Sequence, residues 1–301
     1  MSHQDASLKS ILFAFLANLG IAITKTVAAV ITGSGAMLAE SIHSFADCGN
    51  QLLLYLGLKT SGKKPDMEHP LGYGKEIYFW SFIVAMILFS MGGLFSVYEG
   101  IHKMGSHEGL KSPLVAVIVL SVSIVLEAAS LYGCITQINK VRYNESLWSW
   151  ARNTRQSELV VVLGEDVAAL LGLAFALIAI GLAVVTGNPV YDAAGSIGIG
   201  VLLILMSIFL TVRIKGLLIG QSSDNKTNIE IKSFLESMPQ VDKVLNLITL
   251  QLGHKIMVAV KVKMAQVDTP GQLIANINNC EAALHQVNPA IQWIFFEPDV
   301  E

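Results

Sequence analysis

The chain has 301 residues, of which 53% are hydrophobic and only 14% charged, with a mean hydropathy of +0.57. Soluble domains carry about 25% charged residues, so the composition excludes an ordinary soluble enzyme. It points to an integral membrane protein with several spans and room for one small soluble domain. The net charge of −3 gives no sign of a nucleic-acid partner, and three scattered cysteines (Cys48, Cys134, Cys280) without a C-x-x-C spacing argue against a disulfide framework or a cysteine–zinc cluster.

The polar opening MSHQDASLKS precedes an apolar run too long for a signal peptide, which therefore reads as a retained first span. Six apolar segments follow one another, at about 9–32, 35–58, 76–101, 112–139, 157–186 and 189–214. As helices, each is long enough to cross roughly 30 Å of hydrocarbon. The connections differ in charge. Loop 59–75 holds Lys59, Lys63, Lys64 and Lys75, and loop 140–156 holds Lys140, Arg142, Arg152 and Arg155. The turns near 32–35 and 186–189 hold no basic residue, and 102–111 holds Lys103 and Lys111. The positive-inside rule then places both basic loops and both termini in the cytoplasm.

Beyond Gly220 the composition changes. QSSDNKTN reads as a polar linker, IEIKSFLESM as a helix, VLNLITLQLG and KIMVAVKVKM as alternating strands, GQLIANINNCEAALHQV as a second helix and AIQWIFF as a last strand. The expected fold is an all-α six-helix transmembrane domain over residues 1–216 and a small cytoplasmic α+β domain over 217–301. The order of the latter is αββαβ and its class ferredoxin-like.

Ionisable groups inside the apolar segments need an explanation, because a charge at the bilayer centre costs several kcal/mol unless it faces protein or water. His43 and Asp47 are four apart and share one helix face, about 12 and 18 Å from the outer end of the second span. An imidazole and a carboxylate so spaced can hold one divalent cation. They equally suit a buried His–Asp contact that stitches helices together. Glu165 and Asp166 lie in the fifth span, and Asp166 is about 15 Å from its cytoplasmic end, close to the depth of Asp47. Neighbours on a helix diverge by about 100°, so both cannot point straight at one ion. Asp166 is the expected ligand, whereas Glu165 either pairs with another helix or faces a water-filled vestibule. Lys25 and Glu40 fall at comparable depth on two helices joined by a tight turn and read as a structural ion pair. Glu127 is mid-span in the fourth segment, either lining an ion path or binding Lys25. Asn18, Asn50 and Gln51 add polar groups at the same level. Asn50 shares the face of His43 and Asp47, where it can support Asp47 or offer a carbonyl oxygen. In the loop, Asp66, Glu68 and His69 either collect metal at the cytoplasmic mouth or form a solvated turn.

The stretches TGSGAMLAESIHSFADCGNQLLL, HPLGYGKEIYFWS, EDVAALLGL, YDAAGSIGIGVLL and LLIGQSSD, in this order, resemble the cation diffusion facilitator family, in the branch similar to zinc transporter 9. The resemblance covers the whole chain. It implies exchange of a divalent metal for protons by alternating access in a homodimer joined through transmembrane and C-terminal domains. It also implies four metal ligands, two on the second helix and two on the fifth. By position these are His43, Asp47 and Asp166, and the fourth falls on Val162, which cannot bind metal. Water, Asn50 or Glu165 then completes the sphere. Zn2+ is the expected transported substrate, with Mn2+, Fe2+, Co2+ and Cd2+ also compatible with one imidazole and two carboxylates. Metal binding requires an unprotonated imidazole and so expels a proton, and the ordinary imidazole range near 6.5 suits release on the more acidic side. The expected direction is efflux from the cytoplasm, and the expected location the cell's inner membrane. In the C-terminal domain, His254, His285, Glu297 and Asp299 are scattered candidates for a regulatory metal. An intramembrane metal-dependent hydrolase built on His43, Asp47 and Asp166, with Glu165 as base, is the alternative. It lacks an HExxH motif. A sensor or scaffold working through its soluble domain is a third reading.

Overall fold

The structure is a computed structural model that describes residues 3–105, 111–142 and 145–300, with side chains from Asn18 onward. Ten α-helices and three strands are seen among these residues: α1 (His3–Thr32), α2 (Gly35–Ser61), α3 (Glu76–Ile87), α4 (Phe95–Met104), α5 (Pro113–Val141), α6 (Leu147–Asn153), α7 (Ser157–Thr186), α8 (Val190–Ile219), α9 (Asn225–Glu236), β1 (Val241–Leu252), β2 (Lys255–Met264), α10 (Pro270–Val287) and β3 (Ile291–Pro298). A π-helical turn, Leu88–Leu94, joins α3 to α4. Among the described residues, four helical stretches are long and apolar enough to cross a membrane: Glu76–Met104, Pro113–Val141, Ser157–Thr186 and Val190–Ile219. Large apolar side chains such as Leu114, Ile118, Val122 and Val125 on α5 point outward, as a lipid-facing surface requires.

Local chemistry explains the ends of these elements. In the TGSG turn, Gly33 takes φ +66° and its N–H donates to Ala29 O at 2.8 Å, closing α1 with the left-handed residue that glycine tolerates best. Ser34 then caps α2, its Oγ accepting from Met37 N at 3.1 Å. Asp224 caps α9 in the same way, accepting from Thr227 N at 3.0 Å. The segment read as a linker is therefore partly the entry to α9. Two further differences appear. The third apolar segment is interrupted by the π turn, and the loop 140–156 contains the short helix α6.

The chain divides into two compact units. The first comprises Met1–Leu56, Trp80–Leu147 and Glu158–Ile214. Its helices approach closely at glycines. A Cβ on Gly200 of α8 would lie 2.7 Å from Gly93 O, so the π turn rests backbone to backbone on α8. The second unit comprises Gly57–Phe79, Trp148–Ser157 and Lys215–Glu301. It holds a three-stranded sheet of order β1-β2-β3, with β1–β2 antiparallel and β2–β3 parallel. One face buries Val258, Val260 and Val262 of β2 against Ile231 and Leu235 of α9 and Cys280 and Leu284 of α10. The alternation of β2 is the cause, since every second side chain points to that face. The hairpin turn between β1 and β2 is held by Tyr78, whose hydroxyl donates to Gly253 O at 3.3 Å and accepts from Gly253 N at 3.0 Å. Arg155 Nε donates to Ser222 O at 2.7 Å.

Candidate metal centre

The site is built in the first unit by α1, α2, α5 and α7. Helices α2 and α7 run antiparallel, so contacts pair rising numbers on one with falling numbers on the other. Toward the start of α2, Glu40 lies against Gly172 of α7, where a Cβ would collide with Glu40 Oε1. Further in, Asn50 Nδ2 donates to Glu165 Oε1 at 2.5 Å. Asp47 and Asp166 fall between these two contacts and line one cavity of about 60 Å3. That is space for a few water-sized particles. Asn18 and Ile21 of α1, Ser44, Asp47 and Gln51 of α2, Glu127 and Ser130 of α5, and Val162, Glu165, Asp166 and Ala169 of α7 form its wall.

His43 and Asp47 lie as their spacing dictates, with Nε2 3.5 Å from Asp47 Oδ2. His43 is fully buried and is not among the side chains lining the cavity. Neither of its ring nitrogens has a hydrogen-bond partner, and Asp47 Oδ1 and Asn50 Oδ1 also lack one. Buried polar atoms without partners are costly. Here they cluster on one face of α2, at the i, i+4 and i+7 positions His43, Asp47 and Asn50. Asp166 receives Ser130 Oγ at 3.3 and 3.4 Å, which ties α5 to α7. Among the described residues, no three His, Cys, Asp or Glu side chains are already grouped closely enough to hold an ion together. Asp47, Glu127, Glu165 and Asp166 share a cavity wall rather than a closed coordination sphere.

Beside this wall sits the ion pair. Lys25 Nζ lies 3.3 Å from Glu40 Oε2 and 2.8 Å from Ser44 Oγ, and Lys25 and Glu40 are both fully buried. Thr26 and Ser41 hydroxyls meet at 2.6 Å, so α1 and α2 are stitched together at this level. Sequence reasoning left Glu127 undecided, and the structure puts it on the cavity wall. It overlooked Ser44 and Ser130. Nothing local distinguishes Ser130, three residues after Glu127, from Ser121 and Ser123 on the same helix. Asn50 is turned toward Glu165 rather than acting on Asp47.

The remaining candidates are engaged elsewhere. In the loop, Asp66 accepts from the backbone of Glu68 and His69 at 3.1 and 2.7 Å and from Tyr73 Oη at 2.6 Å. The Tyr73 hydroxyl and then the His69 N–H hold the Asp66 carboxyl below the usual carboxylate range, and the same bond pushes the phenol up to about 12. In the C-terminal domain, His285 Nδ1 is 2.9 Å from Ile291 O. Glu297 and Asp299 lie 3.4 and 2.7 Å from Lys261 Nζ.

The family model for the cation efflux transmembrane domain matches residues 11–214. The proton-coupled zinc antiporter SLC30A9, mitochondrial, of Xenopus laevis is 37% identical over 252 residues, covering 83% of this chain and 44% of the relative. Metal tolerance protein C4 of Arabidopsis thaliana is 35% identical over 217 residues, covering 71% of this chain and 47% of the relative. Magnetosome protein MamB of Magnetospira sp. is 28% identical over 235 residues, covering 77% and 74%. The chain thus spans less than half the length of the first two.

Proposed function

Because the chain belongs to the cation diffusion facilitator family, in the branch similar to zinc transporter 9, we propose that it is an integral membrane metal-cation transporter whose cargo is Zn2+, carried out of the cytoplasm in exchange for protons. The observation that carries this reading is that Asp47 and Asp166, from two different helices, line one small cavity. His43, Asp47 and Asp166 are the proposed ligands, with Asn50 or Glu165 completing the sphere in place of Val162. The cation would draw them together from the wall they already share. Metal and proton compete for the His43 lone pair, so binding one expels the other. The activity for which the SLC30A9 relatives are named, proton-coupled zinc antiport, supports both cargo and coupling.

In this reading six helices cross the membrane, α1 and α2 among them, and the domains divide as 1–216 and 217–301. The basic loops and both termini face the cytoplasm. Two copies pair through transmembrane helices and C-terminal domains. The location is the cell's inner membrane, and a fluorescent fusion tests it against mitochondria, the location in the SLC30A9 names. The hydrolase alternative gains no support from the relatives.

The test uses protein reconstituted in sealed vesicles with an internal pH dye, challenged with Zn2+, Mn2+, Fe2+, Co2+ and Cd2+ in turn. Zn2+ is expected to give the largest proton flux, and Asp47→Ala to reduce it at least tenfold, a loss in the range expected for a missing metal ligand. A flat response to every metal would refute the reading.

A further inference from the structure

Asp192 lies in the first turn of α8, at the outer end of the first unit, and is almost fully buried. Its carboxylate faces the start of α2 rather than its own helix. Oδ1 accepts from Ser34 Oγ at 2.5 Å and from Ala36 N at 3.4 Å, and Oδ2 accepts from Gly35 N at 2.6 Å. These are orphan donors of the α2 N-terminus, where partial positive charge collects. Ser34 is shared, since its Oγ also caps Met37 N. Lys103 of α4 donates to Gly33 O, and its chain lies where a Cβ on Gly35 would stand, 2.9 Å from Cδ. Helix α8 is itself tightly seated. A Cβ on Gly195 would strike Ala179 of α7, and one on Gly100 of α4 would lie 2.7 Å from Ala193 O. The outer end of α2 is therefore clamped to α8, a helix that contributes no side chain to the cavity wall.

We propose that Asp192 is a positioning residue for cation transport, setting the axial and rotational register of α2 and with it the placement of His43 and Asp47 against Asp166. The inference rests on the transport reading above. A helix is stiff along its axis, and His43 and Asp47 lie about 12 and 18 Å from Gly35 at 1.5 Å per residue. A slip or rotation at the clasp is passed to both ligands, whereas α7, which holds Asp166, is not fastened by Asp192. Asn at 192 keeps one acceptor for Gly35 N–H and turns its amide toward Ser34 Oγ, whereas Ala keeps neither.

The experiment compares wild type, Asp192→Ala, Asp192→Asn and Ser34→Ala in the same vesicles, over a Zn2+ series. In parallel, alkylation of Cys48 by N-ethylmaleimide is quantified by mass spectrometry on the solubilised protein. Cys48 adjoins Asp47 on α2 and is buried, so its labelling rate reports displacement of that helix without any transport. Asp192→Ala is expected to raise the apparent KM for Zn2+ about tenfold, as loss of a group orienting a metal ligand does, and to speed Cys48 labelling. Ser34→Ala should follow in the same direction, and Asp192→Asn should restore most of both readouts. An unchanged KM and labelling rate in Asp192→Ala would overturn the proposal. So would a fall in active protein with a normal KM in the remainder, because a purely structural cap behaves that way. If wild-type vesicles move no metal, the transport reading fails by itself, and Cys48 labelling still decides whether Asp192 fixes α2.

Discussion

Lys25 has no exposed surface, and its carboxyl partner is Glu40. Removing one partner of such a pair strands the other, which costs about 3–5 kcal/mol, while removing both is nearly neutral. Lys25→Met should therefore lower the thermal midpoint in detergent sharply, and Lys25→Met combined with Glu40→Gln should recover most of the loss. A double variant as unstable as the single would show that the two charges are not each other's support. This pair was legible in the sequence because a tight turn fixes the relative depth of two helices. Helix-face arithmetic was less informative for Asn50. It gave the direction of the side chain along α2, but the partner, Glu165, comes from a helix more than a hundred residues away. Ser130 was silent for a different reason. A serine inside a membrane helix often returns its hydroxyl to the carbonyl four residues back, as Ser90 and Ser121 do, so its presence alone does not mark an interhelical contact.

At the scale of elements, hydropathy located each long helix to within a few residues but not the π turn at Leu88–Leu94. The widened turn leaves the apolar composition unchanged, so no periodic signal marks it. The turn lies in close contact with α8, where a side chain at Gly93 would collide with Ile204. Gly200→Ala should lower stability by about 1–3 kcal/mol, the range for overpacking, because two of the atoms it meets, Gly93 O and Val97 N, are backbone and cannot rotate away. Gly133→Ala, on α5 with nothing within 4 Å, is the matched control and should be neutral or mildly stabilising. Equal behaviour of the two in thermal melts would contradict the close packing. The strands were legible because alternation reports a half-buried sheet directly. The α6 turn was not, being shorter than any reliable periodic window.

The whole molecule leaves one sheet face uncovered by α9 and α10. Ile248, Ala259 and Phe295 stand in register across its three strands, and Ile248 and Phe295 are each 56% exposed. An apolar row of this kind suits a second copy of the chain, in line with the homodimer we propose. Phe295→Glu should shift the purified protein from dimer toward monomer in light scattering, whereas Asp268→Lys, outside the row, should not. A dimer unmoved by Phe295→Glu would place the contact elsewhere. Within the membrane unit, the stitched α1–α2 pair carries Asn18 and Asp47 on one bank of the cavity, and Ser130 binds the opposite bank, α5 to α7, at Asp166. Asp47 and Asp166 thus stand on facing banks that Asn50–Glu165 bridges, while α1 also packs on α5. In the transport reading proposed above, any parting of α2 from α7 at the cavity has to break that amide–carboxylate bond, so its strength tunes how readily the two banks separate.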